Sequence, residues 1–355
     1  MMGKTADVAL IGVVILLEVF VLILNPLSGA NTFQMMVYGV TFSPLRVVMF
    51  LGAAFIILML VTFHLKDSGE YAHIFYLLSL STVAVWILNS GVPNMDSFLA
   101  FISEILQKIG VHASIQTETA FYLYILVLLL LITSFFYSAP RRSRELGFII
   151  FGVLFSAPFF RSLIYPPTPE LIGITAFMLS ISLVTSLVFS PKTFKLLFQT
   201  LLLSVLTVVA VAMEPWNIVL PVAFILTFPR KKRNIVYVIL VLLGFVAALR
   251  VGIVWSPRTS GLGFGLVFSQ LLLPIALIGY SLLFRGDAIV SILKNSKGPT
   301  PFLVFLLLVF LIGSLITRRL LPYAAITLTI LSIRLVFHTR DSGRVIIRRE
   351  ESSRT

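Results

Sequence analysis

Five arginines and two glutamates hold most of the chemistry this sequence offers. Arg161, Arg250, Arg258, Arg318 and Arg319, with Glu18 and Glu214, lie within or at the ends of apolar runs of about membrane-crossing length. A charge at that depth is costly unless it is paired, hydrated or used, so it is the default pointer to function in such a chain. Guanidinium stays charged when partly desolvated and binds phosphate through two parallel hydrogen bonds. Arginines converging from several helices therefore predict a basic cavity for a phosphate, diphosphate or other anionic headgroup. Arg161 and Arg250 are placed to hold the anion. Glu18 and Glu214 are placed as counter-charges or coupling sites.

Other chemistries find little support. His64, His73, His112 and His338 stand apart, with no HExxH pattern and no carboxylate pair at one-turn spacing within a helix, so no metal site is expected. Cysteine is absent, which removes disulfides, thiolate ligands and thiol nucleophiles. Gly261-Leu262-Gly263-Phe264-Gly265 lacks the lysine of a phosphate loop and the strand–helix context it needs. GxSxG is missing, and no cofactor is implied. A transferase would need a base, for which His112, Glu118 and Glu214 are the candidates beside the outer face.

The elements that must position these residues follow from composition. Of 355 residues, 59% are hydrophobic and only 12% charged, with a mean hydropathy of +1.06. Soluble domains are about half apolar and a quarter charged, so a disordered chain is excluded and a water-soluble enzyme is disfavoured. Apolar runs recur at Ala6–Asn25, Leu45–His64, Ala72–Asn89, Thr119–Ser138, Gly147–Tyr165, Leu171–Phe189 and Leu196–Met213. They continue at Asn217–Phe228, Asn234–Trp255, Phe264–Phe284, Phe302–Thr317 and Leu320–Phe337. These predict an all-α, polytopic membrane protein of about 12 spans, with residues 1–338 as one transmembrane domain and 339–355 as a basic cytoplasmic tail. The first run lacks a cleavage site and reads as a retained helix.

Two pairs of runs are tight. Between Lys195 and Arg230 the chain turns at Glu214-Pro215-Trp216-Asn217, and between Lys297 and Arg340 it turns near Arg318-Arg319. Arms of about 16 residues rise about 24 Å against a core of about 30 Å, so either the bilayer thins there or the hairpins are re-entrant. Pro158, Pro215, Pro221, Pro274 and Pro322 predict breaks and half-helix ends nearby.

Lysine and arginine orient the chain. They gather in alternate loops, at Arg141–Arg144, Lys192–Lys195, Arg230–Arg233, Arg285–Lys297 and the tail, which predicts both termini in the cytoplasm of a cell-membrane protein. The net charge of +13 follows from this bias and suits anionic lipid as a partner rather than nucleic acid. Two outer loops have length. Leu27–Pro44, with Met35, Met36 and Tyr38, predicts a surface-dipping turn of helix. In Gly91–Glu118 the stripe Phe98, Phe101, Ile102, Ile105, Leu106 and Ile109 predicts an interfacial amphipathic helix over about 96–110, capped by Asn94 or Asp96. No internal repeat is visible.

Short-looped spans with arginines in a cavity resemble flippases for lipid-linked saccharides, and also the polymerases and ligases that act on such lipids at the outer face. The resemblance is one of architecture, without a shared residue motif. It implies a carrier or flippase for an anionic amphipathic substrate such as a lipid-linked phosphate or saccharide. The alternatives are a membrane-embedded glycosyl- or phospho-transferase or ligase using an outer-leaflet lipid diphosphate, and a non-catalytic subunit packed among partner membrane subunits.

Overall fold

The computed structural model describes residues 35–37, 40–42, 72–89, 94–111, 117–139, 144, 146–155, 158–186, 193–228, 231–252, 275 and 298–335. The runs expected at Ala6–Asn25 and Leu45–His64, nearly all of Phe264–Phe284, and the tail lie outside the described residues. Apart from one short hairpin, the described regular structure is helical. Thr117–Ser138, Asn234–Val251 and Pro299–Ile316 are long and apolar enough to cross a membrane, and six shorter apolar helices accompany them. A chain with so little charge among its helices builds a membrane protein, because apolar surface on every side needs either lipid or other helices.

The hairpin replaces the helical turn expected between Leu27 and Pro44. Strands β1 (Met35–Val37) and β2 (Val40–Phe42) pair antiparallel, with Val37 opposite Val40. The two residues between them are Tyr38 and Gly39, and a two-residue link containing glycine favours a tight hairpin. β-Branched and aromatic neighbours then favour strand over helix.

In chain order the helices are α1 (Ala72–Asn89), α2 (Asp96–Lys108), α3 (Thr117–Ser138), α4 (Leu146–Phe155), α5 (Pro158–Ile164) and α6 (Glu170–Ser186). Then come α7 (Thr193–Met213), a 3-10 turn at Pro215–Ile218, α8 (Val219–Thr227), α9 (Lys231–Val251), α10 (Pro299–Ile316), a 3-10 turn at Arg318–Leu320 and α11 (Leu321–Leu335). The Tyr76 and Thr133 hydroxyls are bonded at 2.9 Å, so the start of α1 lies against the end of α3. Gly147, near the start of α4, sits on the same level: a Cβ there would come within 2.5 Å of the Phe136 Cα. Only glycine permits that approach of two helices.

Arg334 ties three helix ends together. Its Nε donates to the Ser138 carbonyl at 2.9 Å and its Nη2 to the Thr185 carbonyl at 3.3 Å. The last carbonyls of a helix have no partner within it, and a cation there also complements the helix dipole. Arg334 thereby clamps the ends of α3, α6 and α11. Beside it the Arg144 guanidinium lies 4.1 Å over the Tyr137 ring.

The two tight pairs resolve unequally. At 1.5 Å per residue, α7 spans about 31 Å but α8 only about 14 Å. The first pair is therefore one full helix and one half-helix, while α10 and α11 share the load more evenly. The Gly298 N–H donates to the Thr227 carbonyl at 3.0 Å, which brings the end of α8 to the start of α10. Both pairs share a plan the sequence reading did not detect: helix, 3-10 turn, helix. Leu220-Pro221-Val222-Ala223 of α8 corresponds to Leu321-Pro322-Tyr323-Ala324 of α11, with the leucine, proline and alanine buried in each. Pro221 and Pro322 stand in the first turn of their helices, where the missing N–H costs nothing. The pairs lie side by side, since a Cβ on Gly313 of α10 would fall 3.6 Å from the Trp216 ring.

Candidate functional site

Arg161 is partly buried, less so than Glu118, Glu214 or Arg144 among the described residues. It stands on α5, which follows α4 in the expected Gly147–Tyr165 run; residues 156 and 157, where the predicted break would fall, lie outside the described residues. The residues on either side fix its level. The Phe160 ring lies 5.7 Å from the Phe135 ring, one turn from the end of α3. Ile164 presents its carbonyl to the Tyr124 hydroxyl at 2.9 Å, two turns from the start of α3. Arg161 therefore lies between those levels, deeper than four residues from a helix end would suggest. Its side chain is only partly exposed, and its Nε is buried with no hydrogen-bond partner among the described residues. A buried guanidinium donor left unmatched costs several tenths to a few kcal/mol, roughly, unless something else accepts it.

Arg250 occupies the last turn of α9 and is exposed, so its charge complements the helix end. The chain stops there at Gly252, whose φ of +70° places it in the left-handed region that favours glycine. The freed Gly252 carbonyl accepts a hydrogen bond of 2.6 Å from Lys108 Nζ, which also pairs with Glu104 at 2.5 Å. The end of α2 is thus latched onto the end of α9. The amphipathic helix runs Asp96–Lys108; its N-cap is Met95, without a side-chain cap, rather than the expected Asn94 or Asp96, and Asn94 Oδ1 accepts from the Asp96 N–H at 2.8 Å just ahead of it. Phe98 and Phe101 are buried, and the Phe98 ring lies 6.2 Å from the Tyr124 ring. The front of the stripe thus packs on protein, while Ile109 at its end is exposed. Lys108→Met should release this end: a spin-label pair at Gln107 and Leu249 should show a broader distance distribution than with Lys108 present. An unchanged distribution would mean that apolar packing alone seats the helix.

Glu214, Asn217, Arg319 and Tyr323 meet where the two 3-10 turns face one another. Glu214 follows α7 in extended conformation and is 5% exposed. Burial pushes its carboxyl above the ordinary range, opposed by the Trp216 backbone N–H and by the nearby Arg319 guanidinium. Asn217 is fully buried; its backbone N–H donates to the Glu214 carbonyl at 2.9 Å and its Nδ2 to the Ala210 carbonyl at 2.9 Å, closing the turn onto the end of α7. Asn217 Oδ1 has no partner among the described residues. The Tyr323 hydroxyl feels Glu214, the Asn217 side chain and Glu170 at the start of α6. A Cβ on Gly173 would lie 3.7 Å from that hydroxyl, so α6 closes the group from the other side.

The expected residues therefore separate into three places. Arg161 is inside the bundle, Arg250 is at the α9 end beside the Lys108 latch, and Arg319 is exposed beside Glu214. Glu18 and Arg258 lie outside the described residues, as does the Arg318 side chain. Glu118 is buried in the first turn of α3, where the Tyr122 hydroxyl donates to it at 3.1 Å, and His112 is outside the described residues. Asn217 and Tyr323 were not anticipated, because an uncharged residue at a turn or an inner helix face gives no compositional signal. Among the described residues no group of three or more His, Cys, Asp or Glu side chains could hold a metal ion. No protein-family model matches the chain, and no curated protein and no solved structure is similar to it.

Proposed function

We propose that the protein is a membrane carrier or flippase for an anionic amphipathic substrate, such as a lipid-linked phosphate or saccharide. The observation that carries this reading is Arg161: a partly buried guanidinium whose Nε is buried with no hydrogen-bond partner among the described residues. An anionic headgroup is the chemistry that would complete it. The short helix α8 supports the same reading, because transporters form substrate sites from discontinuous helices. Arg250, Arg258, Arg318 and Arg319 would draw the headgroup in from the outer leaflet, with anionic lipid as the natural partner.

The reading carries a topology: about twelve spans, both termini cytoplasmic, and the two 3-10 turns on the outer side. Its support is the gathering of lysine and arginine in alternate loops. Gly252 at the end of α9 lies beside α2, and Gly298 lies beside the end of α8. The native chain lacks cysteine, so single cysteines report position cleanly. A cysteine at Ser143 should resist an impermeant thiol reagent in intact cells, and one at Asn94 should react. Labelling at Ser143 in intact cells would invert the topology.

Binding tests the function itself. Purified protein should be stabilised against heat by a polyprenyl phosphate, and Arg161→Gln should lose most of that stabilisation. A stabilisation equal in the wild type and Arg161→Gln would leave the reading without its site.

A further inference from the structure

The amphipathic helix α2 is fixed to the bundle at two places that differ in kind. Near its start Phe98 and Phe101 are buried, and the Phe98 ring stands edge-on to Tyr124 with centroids 6.2 Å apart. Toward its end Ile105 and Leu106 are half-buried and Ile109 is exposed. Among the described residues, the polar tie between this end and the bundle is the solvent-facing bond of 2.6 Å from Lys108 Nζ to the Gly252 carbonyl. Gly110, at a φ of +83°, ends the stretch just beyond it, in the left-handed region that favours glycine.

The apolar foot of α2 stands against the segment that carries Arg161. Tyr124 is fully buried, and its hydroxyl donates to the Ile164 carbonyl at 2.9 Å. Ile164 follows Arg161 by less than one helical turn on the same short helix α5. Phe98, Tyr124, Ile164 and Arg161 thus lead inward from α2, and every step is a direct contact or lies within one turn. The other end of α2 reaches α9. A helix of 13 residues is about 20 Å long, so α2 bridges the α3–α5 side of the bundle and the end of α9.

We infer that α2 is the gate to Arg161: it pivots on Phe98 and Phe101, and the bond from Lys108 to the Gly252 carbonyl is the latch that holds it shut. This deepens the carrier reading above and rests on it for the occupant, an anionic headgroup. An ammonium has three donors, and Glu104 and Gly252 engage Lys108 through two. A phosphate oxygen meeting the third competes with the neutral carbonyl, because hydrogen bonds between opposite charges are the stronger ones. Transfer of Lys108 from carbonyl to phosphate frees the end of α2, while the two phenylalanines keep its start seated. The ligand that Arg161 lacks thereby opens the way to it.

The native chain has no cysteine, so a single thiol reports access. In the full chain in detergent, the rate at which a small anionic methanethiosulfonate modifies Arg161→Cys is measured alone, with Lys108→Met and with Lys108→Arg. Lys108→Met should speed modification by up to about tenfold, since the latch is a charge-assisted bond partly screened by solvent. Lys108→Arg can still donate to the carbonyl and should bring the rate back close to that of Arg161→Cys alone. Ser332→Cys, fully buried at the Arg334 end of the bundle, should stay unreactive in each background. A second measurement keeps Arg161 and Lys108. Gln107→Cys and Leu249→Cys, joined by a reducible bis-methanethiosulfonate bridge, should abolish thermal stabilisation by a polyprenyl phosphate, and reductant should restore it. Equal modification rates with and without Lys108→Met, or a bridged protein that the lipid still stabilises, overturn the gate and leave the carrier reading in place. A rise at Ser332→Cys as large as that at Arg161→Cys does the same, because it marks general loosening. Unbridged protein that polyprenyl phosphate does not stabilise overturns the carrier reading and, with it, the headgroup as the trigger of the gate.

Discussion

Arg334→Met should lower the thermal stability of the protein more than loss of any other described charge. The guanidinium satisfies the Ser138 and Thr185 carbonyls at the ends of α3 and α6. Hydrogen bonds from a charged donor are worth about 1.5–3 kcal/mol each, and an acceptor left buried adds its own desolvation cost. A loss of about 3 kcal/mol is therefore expected, with the ends of α3, α6 and α11 exchanging their amide hydrogens faster. Arg334→Lys offers one compact donor group in place of a planar fork, so it should restore only part of the loss. A melting temperature for Arg334→Met within error of the wild type would show that the three helix ends are held by apolar packing alone.

Arg161 should give the opposite profile. Its Nε has no protein acceptor among the described residues, so replacing it strands no partner. Arg161→Gln should fold with near-native stability when no lipid is added. Affinity for an anionic headgroup should fall at least tenfold, because one charge-assisted contact of about 1.5–3 kcal/mol corresponds to a factor of about ten to a hundred. Arg161→Lys keeps the charge but loses the fork, and should recover little of the binding. A large drop in lipid-free stability would instead assign Arg161 a structural role in seating α5.

Much of the scaffold was legible because one strong signal, apolar runs of membrane-crossing length, dominates the sequence. The start of α2 and the two 3-10 turns stand where residue chemistry put them. A boundary marked by Pro215 is local, and such a signal is readable one residue at a time. The Met35–Phe42 hairpin was not legible, because two methionines outweighed a Tyr-Gly pair flanked by valines. The likeness of the two turn-containing pairs was hidden because it rests on Leu-Pro-x-Ala in a background of similar apolar residues. Only burial distinguishes those leucines and alanines from their neighbours.

The site was readable in its charges and not in its neutral members. Arginine and glutamate stand out in a chain with so little charge, but depth is set by tertiary contacts. Arg161 counts as near a helix end in sequence, yet Phe160 against Phe135 draws it inward. Arg334 counts the same way and proves to be a clamp, because the carbonyls it serves lie 149 and 196 residues away in sequence. Asn217 and Tyr323 carry no such signal, and their importance comes from the Glu214 turn on which both converge.

Transbilayer movement of an anionic lipid tests the central claim most directly. Protein reconstituted into vesicles containing a fluorescent, headgroup-bearing phosphatidylglycerol would be followed by quenching of the outer leaflet with a membrane-impermeant reductant. The account predicts that wild-type protein exposes the inner-leaflet lipid to quenching well above the rate of protein-free vesicles, and that Arg161→Gln returns this to the protein-free rate. Equal rates for the wild type and Arg161→Gln, or no movement above protein-free vesicles, would contradict it.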